Sequence, residues 1–366
     1  MSITHTMESI TPACKHFGTC GGCQLQHLPP ALYATFKQQH IENALEHAKI
    51  TPQRYDEIII LPPHTRRRGI LKALRGHGSK IELGYFQRQS HQVVDVQECP
   101  LLDYTLTALF SPLRTLLKDI LAPRQKAEIA ILASQTGVDM ALSYTPAPLD
   151  LSLLERLTHF AQTQDLARLR LNGEVIVTRK TPMVNFCDTL VEADALGFLQ
   201  ASNGADDALT SWLMKLTSST PPKKAVDLFC GRGLFSHALA TKATHVTAYD
   251  MDLPALTALK NSCKNKVPNI HTHQRQLFAN PLKTSELNAF DFVLLDPPRA
   301  GAPAQCKELA ASSVPKSAYV SCSPQSFARD AGYLIKGGYA LTSVQGLDQF
   351  LWSQHIEIMG LFEKMQ

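Results

Sequence analysis

The sequence predicts an α/β protein, with a carboxyl-terminal Rossmann-like sheet of about seven strands behind a small central β-rich domain. From Ala195 onward, apolar strand-like runs alternate with glycine or proline turns and with helical stretches. Between residues 69 and 97, in contrast, hydrophobic residues alternate with period two, as in antiparallel strands. At 366 residues, 44% of them hydrophobic and 19% charged, the chain has room for two or three globular domains.

The composition argues against a membrane-spanning or secreted protein. No segment has the roughly 18 uninterrupted apolar residues of a membrane span, and the first residues lack the apolar core of a signal peptide. We therefore expect a cytoplasmic monomer with no membrane partner. In a reducing compartment, nine cysteines indicate metal ligation or catalysis rather than a disulfide scaffold.

Four of these cysteines form the first candidate site. Cys14, Cys20 and Cys23 make a C-x5-C-x2-C pattern in a glycine-rich loop, and Cys99, which follows an extended run and precedes a proline, is the best fourth partner. Four thiolates suit a tetrahedral zinc ion or a [4Fe–4S] cluster. The single C-x2-C knuckle favours an iron–sulfur cluster over zinc, because structural zinc sites more often have two such knuckles. A third alternative is that the four thiols bind no metal.

The next part of the chain is expected to be one helix followed by the β-rich domain. The helix runs from Pro30 to Lys49 with an apolar face formed by Leu32, Phe36, Ile41, Leu45 and Ala48. Strands are predicted at 69–76, 80–87, 91–97, 127–134, 138–144 and 173–180, and helices at 105–121 and 149–166.

A basic segment enters this domain. Between His64 and Gln89 the net charge is +6, whereas the rest of the chain is net −2. Arginines beside Tyr85 and Phe86 suit phosphate contacts and base stacking on RNA, although a merely solvated face is equally compatible with the pattern. We expect this charge to lie on the surface of the β-rich domain.

In the carboxyl-terminal half, a strand runs into the turn Asp227-Leu-Phe-Cys-Gly-Arg-Gly233, which lets a ligand approach the backbone. The dinucleotide fingerprint needs a third glycine where Ser236 stands, which argues against NAD. The next strand ends in Asp250, 17 residues after Gly233, where an acid can bind ribose hydroxyls; Asp252 is the reserve.

Two further strands end in reactive or rigid groups. One stops at Asp296-Pro-Pro-Arg299, where the prolines fix an extended loop over the sheet edge, and the other stops at Cys322. A lone cysteine is more often a buried structural thiol. Here the glycine turn, the Asp296 loop and Cys322 all follow successive strands, so we interpret Cys322 as a nucleophile facing a ligand site.

Taken together, these motifs resemble the S-adenosylmethionine-dependent RNA uracil-5-methyltransferases, and the resemblance covers nearly the whole chain. It rests on the cysteine pattern with its distal CP, on FLQASN, DLFCGRGLF, AYD, DPPRAGA and SCSPQSFARD, and on the terminal FLWSQHIE. Three positions depart from the family pattern: Leu351 replaces a proline, Ser326 replaces a threonine, and Asp250 stands where glutamate is common.

The resemblance implies roles for particular residues. Cys322 would be the nucleophile that adds to C6 of uracil, and Glu357 the base that removes the C5 proton. Gln200, Phe229, Asp250 and Asp296 would contact S-adenosylmethionine. The four cysteines would ligate a [4Fe–4S] cluster.

The resemblance also implies an organisation and a substrate. An iron–sulfur segment with a helix (1–50) would precede a β-rich RNA-binding domain (51–190) that contributes Cys99, and a class I methyltransferase domain (191–366). The pattern, with no TRAM barrel ahead of the cluster, is most similar to the subgroup that methylates 23S rRNA, so we expect 23S rRNA as substrate ahead of tRNA. Alternatives are an RNA cytosine-5-methyltransferase, which would usually carry a second cysteine where Arg299 stands, and a non-catalytic RNA-binding iron–sulfur protein.

Overall fold

The computed structural model describes residues 9–145, 150–264, 267 and 269–365. Its helices are α1 (Pro30–His47), α2 (Tyr104–Thr107), α3 (Phe110–Ile120), α4 (Leu151–Thr163), α5 (Asn203–Ser218), α6 (Leu234–Ala240), α7 (Leu253–Cys263), α8 (Thr284–Leu287), α9 (Pro303–Ala311) and α10 (Pro324–Lys336). Its strands are β1 (Ile59–Ile60), β2 (Arg68–Arg75), β3 (Ile81–Phe86), β4 (Val93–Asp95), β5 (Lys126–Ser134), β6 (Gly137–Ser143), β7 (Arg168–Leu171), β8 (Glu174–Thr178), β9 (Met183–Phe186), β10 (Thr189–Glu192), β11 (Lys224–Leu228), β12 (His245–Asp250), β13 (Ile270–Gln274), β14 (Phe292–Leu295), β15 (Lys316–Ser321), β16 (Tyr339–Asp348) and β17 (Glu357–Lys364). None of the helices in these residues is long and apolar enough to cross a membrane.

The larger sheet confirms the predicted α/β class. Its eight strands lie in the order β1-β16-β17-β15-β14-β11-β12-β13, and β11 to β15 pair in parallel. Strand β17 is antiparallel to both of its neighbours. About seven strands were expected. The eighth is β1, whose two residues pair in parallel with the outer strand β16 and are too few to give a periodic pattern.

The smaller sheet has seven strands in the order β4-β3-β2-β5-β6-β7-β8, all antiparallel except for the β6–β7 pair. Helices α3 and α4 pack on it and share its hydrophobic core. Strand β7 was not predicted, because Arg168 and Arg170 make its sequence look polar. Both are nevertheless buried, since Arg168 pairs with Asp139 at 2.7 Å and Arg170 with Asp194 at 2.8 Å.

Helix α1 forms where it was predicted, and Ile41 and Leu45 of its predicted apolar face are buried, whereas Leu32 and Ala48 of that face are exposed. Leu32 is 40% exposed, while the buried residues are Tyr33, Lys37, Ile41 and Leu45. Lys37 tolerates full burial because its Nζ donates to Asp348 Oδ1 at 2.8 Å. Through this face α1 packs on α10 and β16 of the larger sheet.

Candidate active site

The larger sheet brings the ends of several strands to one edge. Phe229, Asp296 and Cys322 directly follow the parallel strands β11, β14 and β15, and Asp250 is the last residue of β12. Strand β17 runs the other way, so its first residue, Glu357, lies at the same edge.

The register of β15 and β17 relates the two predicted catalytic residues. Ser321 pairs with Ile358, and extending this register by one residue sets Cys322 opposite Glu357. Their proximity is therefore a property of the antiparallel pair rather than of a flexible loop.

These strand ends surround a cavity of about 600 Å³. All six of the residues predicted to be catalytic or to contact the cofactor line it: Gln200, Phe229, Asp250, Asp296, Cys322 and Glu357. The glycine turn and the cysteine thus face one cavity, which is large enough for a small-molecule ligand.

The glycine turn forms one wall of the cavity. Phe229, Gly231 and Gly233 have φ of +65°, +53° and +90°, and a Cβ on Gly233 would overlap the side chain of Leu259. The backbone N–H of Gly231 donates to Asp250 Oδ2 at 2.8 Å, which fixes this carboxylate at the end of β12. The turn is compact and leaves backbone and carboxylate open to a nucleoside.

Ser236, which replaces the third glycine of the dinucleotide fingerprint, has a structural partner. Its hydroxyl donates to Asp227 Oδ2 at 2.6 Å. Burial raises the pKa of Asp227 to about 7, although the bond from Ser236 opposes this. The serine therefore stabilises a carboxyl group beneath the turn.

Cys322 is half-buried at the cavity wall. Burial first, and then the carboxylates of Glu357 and Asp296, raise the pKa of Cys322 to about 11, while Arg299 acts in the opposite direction. The free protein therefore holds a thiol at neutral pH. A positive charge brought into the cavity would favour the thiolate.

Glu357 is 4% exposed and lies at the base of the cavity. Burial raises its pKa to about 7, and a hydrogen bond from Gln349 to Glu357 Oε2, 2.9 Å long, lowers it. A carboxylate that titrates near neutral pH is suited to accept a proton during a reaction.

Asp296 begins the rigid proline loop. Burial and the neighbouring carboxylate of Glu357 raise the pKa of Asp296 well above its usual range. Arg329 donates to Ala300 O at 2.8 Å and to Asp330 Oδ1 at 2.8 Å, while Asp330 accepts from the N–H of Ala302. Arg329 thus holds the proline loop in place, and Arg299 lines the cavity.

The expectation that the basic segment lies on the surface is wrong for one of its arginines. Arg67 is 1% exposed and pairs with Asp206 on α5 at 2.7 Å. Its neighbours Arg66 and Arg68 line the cavity instead. Three consecutive arginines therefore occupy two different environments, because alternate residues of an extended chain point in opposite directions.

Several residues of the cavity were missed by the sequence analysis. Gln349 hydrogen-bonds to both Gln200 and Glu357, and the ring of Phe278 lies 5.3 Å from that of Phe229. Gln349 directly follows a long strand, which was the only available signal. Phe278 lies in a loop, and no motif marked it.

The four amino-terminal cysteines line a second cavity, of about 330 Å³. Burial and the neighbouring thiols raise the pKa of Cys23 to about 12, and burial also raises the pKa of Cys20 and of Cys99. Within the described residues, no group of three or more His, Cys, Asp or Glu side chains is arranged around the position of a metal ion. Four thiols around one cavity are nevertheless a donor set that suits an iron–sulfur cluster.

The cysteine loop also contacts the loop that leads to Glu357. The backbone N–H groups of Gln24 and Leu25 donate to Trp352 O at 2.8 and 3.0 Å, and the N–H of Trp352 donates to the hydroxyl of Tyr33 at 2.7 Å. Trp352 has a φ of +60°, so this turn is held in an uncommon conformation by its neighbours.

The sequence of this chain is similar to those of known proteins over most of its length. The sequence profile of the tRNA (uracil-5-)-methyltransferase family matches residues 190–365. An uncharacterized RNA methyltransferase of Agrobacterium fabrum is 35% identical over 373 residues, which is 100% of this chain and 88% of the relative. The 23S rRNA (uracil(1939)-C(5))-methyltransferase of Klebsiella pneumoniae is 30% identical over 370 residues, which is 99% of this chain and 83% of the relative.

A solved structure shares the fold. The tRNA (uracil-54, C5)-methyltransferase of Pyrococcus abyssi, in complex with S-adenosyl-L-homocysteine, matches with a TM-score of 0.73 at 19% identity. The match covers 94% of this chain and 86% of that one.

Proposed function

We propose that this chain, which belongs to the family of S-adenosylmethionine-dependent RNA uracil-5-methyltransferases, uses Cys322 and Glu357 to methylate C5 of one uridine in 23S rRNA. The observation that carries this proposal is the strand register that sets Cys322 opposite Glu357. The cavity that encloses both residues also contains the glycine turn.

Cys322 activates the ring in this proposal. Its sulfur adds to C6 of uracil as the thiol proton passes to solvent, and C5 becomes the nucleophilic carbon of an enolate. The raised pKa of Cys322 means that the thiolate needs a favourable charge, and Arg299 in the cavity wall supplies one.

Glu357 restores the aromatic ring. After C5 has been methylated, a carboxylate oxygen of Glu357 accepts the C5 proton, the C6–sulfur bond breaks, and Cys322 leaves as a thiolate. The pKa of about 7 makes Glu357 basic enough to take this proton while a large fraction of it is still ionised at neutral pH.

The opposite side of the cavity would hold S-adenosylmethionine, which supplies an electrophilic methyl group on a sulfonium. Asp250 would bind the ribose hydroxyls, and Phe229 would pack against the nucleoside beside the open turn. Gln200 and Asp296 would contact the polar groups of the donor. The fixed carboxylate of Asp250 and the positive-φ turn fit such a ligand.

The RNA would lie across the cavity mouth and the smaller sheet. Arg66 and Arg68 line the cavity from the smaller sheet's side, where they can contact phosphates around the target. The uridine has to leave any base stack to present C6 to Cys322, which suits a loop of a structured RNA. The naming of the Klebsiella relative as a 23S rRNA enzyme favours 23S rRNA over tRNA.

We further propose that Cys14, Cys20, Cys23 and Cys99 ligate a [4Fe–4S] cluster, supported by their placement around one cavity. The cluster would tie the amino-terminal segment 1–50 to the RNA-binding domain 51–190, which precedes the methyltransferase domain 191–366. Its role would be structural, because four cysteines leave no iron open.

The test is to incubate the protein with labelled S-adenosylmethionine and with 23S rRNA and tRNA that lack their uracil methyl groups. We expect labelled 5-methyluridine in 23S rRNA, no product with Cys322→Ala, and a trapped covalent RNA adduct with Glu357→Gln. Labelled 5-methylcytidine would indicate a cytosine enzyme, labelled tRNA alone would overturn the rRNA assignment, and no label in any RNA would overturn the proposal.

A further inference from the structure

Gln349 connects the two functional sides of the cavity. It directly follows β16, is 5% exposed and lies between Gln200 and Glu357. Its Oε1 accepts from the backbone N–H of Ala201 at 2.8 Å, and its Nε2 donates to Gln200 Oε1 at 2.7 Å and to Glu357 Oε2 at 2.9 Å. Both hydrogens of this amide nitrogen are therefore used.

The backbone of Ala201 fixes the direction of the whole chain of bonds. A backbone N–H can only donate, so the atom of Gln349 beside it is the oxygen and the amide nitrogen points toward Gln200 and Glu357. An amide nitrogen also only donates, so Gln200 presents its oxygen to Gln349. Among the described residues no acceptor takes a hydrogen bond from the nitrogen of Gln200, which can then donate to a ligand in the cavity that Gln200 lines.

The same argument applies to Glu357. Its Oε2 is held as an acceptor, whereas hydrogen bonds among the described residues leave Oε1 without a donor. A donor to a carboxylate favours the ionised form. Gln349 thus occupies Oε2 of Glu357 and leaves Oε1 to accept a proton. Its hydrogen bond also favours the ionised carboxylate, which is the form that a base requires.

We propose that Gln349 is a positioning residue for the methyl-transfer reaction, which turns the amide of Gln200 toward the methyl donor and holds Glu357 ready to accept the C5 proton. This inference rests on the proposed function. One side chain therefore couples donor binding to removal of the proton, and it does so through its hydrogen bonds to Gln200 and Glu357.

The decisive variant is Gln349→Glu. It keeps the size of the side chain and the acceptor for Ala201, but it removes both donated hydrogen bonds. Gln200 would then rotate its nitrogen toward the new carboxylate, and Glu357 would lie beside a second negative charge.

We expect a higher KM for S-adenosylmethionine and an acid limb of the pH–rate profile that moves to higher pH. The covalent RNA adduct should accumulate because C5 deprotonation becomes slow, and kcat/KM should fall about 10- to 100-fold, since a bond to a charged group is lost. Gln349→Met removes the same donors without adding charge and should move the same quantities less. Gln345→Met, in the strand that Gln349 follows, is the matched control, because within the described part of the chain the side chain of Gln345 donates only to Glu57 O at the protein surface.

The outcomes separate the two proposals. If wild-type protein forms no 5-methyluridine, the proposed function fails. If wild type is active but Gln349→Glu and Gln349→Met keep the wild-type KM, pH profile and adduct level, the role of Gln349 is overturned, even where kcat falls. Thermal unfolding of each variant shows that it is folded, and Gln349→Met provides the readout if Gln349→Glu does not fold.

Discussion

The guanidinium of Arg67 lies 2.7 Å from the carboxylate of Asp206, and the two side chains are 2% and 6% exposed. Arg67 immediately precedes β2 of the smaller sheet and Asp206 belongs to α5, so the pair joins the two main parts of the molecule. Arg67 also donates to Gln200 O at 3.1 Å, which connects this joint to the cavity.

Arg67→Met should therefore lower the free energy of unfolding by about 3–5 kcal/mol, because it leaves the buried carboxylate of Asp206 uncompensated. Urea unfolding measures this loss. Arg88→Met, at an exposed arginine of the same basic segment, is the control and should change stability by less than about 0.5 kcal/mol. Equal losses in both variants would contradict the structural role of Arg67.

Stability should fall as pH rises through neutrality because of Glu357. Its pKa is about 7 in the folded protein and 4.5 is its usual value, so the folded state holds a proton that the unfolded state has lost between these pH values. The stabilisation that this bound proton provides is complete below about pH 4.5 and is lost as the pH rises to about 7. Glu357→Gln should remove this pH dependence. At pH 8, where wild type has to bury an ionised Glu357, the variant should be more stable than wild type by about 3 kcal/mol.

Chemical unfolding of wild type and Glu357→Gln at pH 5 and pH 8 tests this expectation. Asp227 and Asp206 also have raised pKa values, of about 7 and about 6, so wild type alone would not isolate Glu357. The difference between the two proteins reports Glu357 together with its effect on the neighbouring Asp296, whose pKa the Glu357 carboxylate raises. A constant difference at both pH values would contradict the raised pKa of Glu357.

The thiol of Cys322 should be slow to alkylate in the free protein at neutral pH. Its pKa of about 11 keeps it protonated, and the rate of reaction with iodoacetamide should rise with pH toward that value. Arg299→Ala removes a charge that lowers the pKa, so it should slow alkylation at pH 8. Peptide mass spectrometry follows modification of Cys322 itself, and fast alkylation of wild type at pH 7 would contradict the raised pKa.

Cys99→Ser should abolish iron binding, because it removes one of the four ligands of the proposed cluster. Iron and acid-labile sulfide, measured after anaerobic purification, should be present in wild type and nearly absent from this variant. Cys187→Ser is the control, since Cys187 lies in the β9–β10 turn and does not line the cysteine cavity. Zinc without iron in wild type would favour the alternative tetrahedral site.

The sequence predicted the parts of the site that depend on local order along the chain. Apolar runs that stop at Asp250, Asp296 and Cys322 mark strand ends, and parallel strands place such ends at one edge. The sequence could not distinguish Arg67 from Arg66, because identical residues acquire different environments only when α5 packs against one of them. For the same reason the predicted apolar face of α1 did not include Lys37, whose partner Asp348 is 311 positions away.

Gln349 shows a second limit. Its importance comes from three hydrogen bonds to residues that lie 148, 149 and 8 positions away. No local sequence pattern predicts such contacts. The orientation of the Gln349 amide is set by the backbone N–H of Ala201, which comes close to Gln349 only in the folded chain.

The carbonyl of Trp352 receives two N–H groups from the segment that follows Cys23, and the same turn lies between Gln349 and Glu357. Oxidation of the amino-terminal cysteines would consequently weaken the hydrogen bonds that hold Trp352, which lies only five positions before the proposed base Glu357. If the four cysteines hold the proposed cluster, loss of that cluster would leave an intact polypeptide in which the loop before Glu357 is less well supported, and methylation of the proposed RNA substrate would fall.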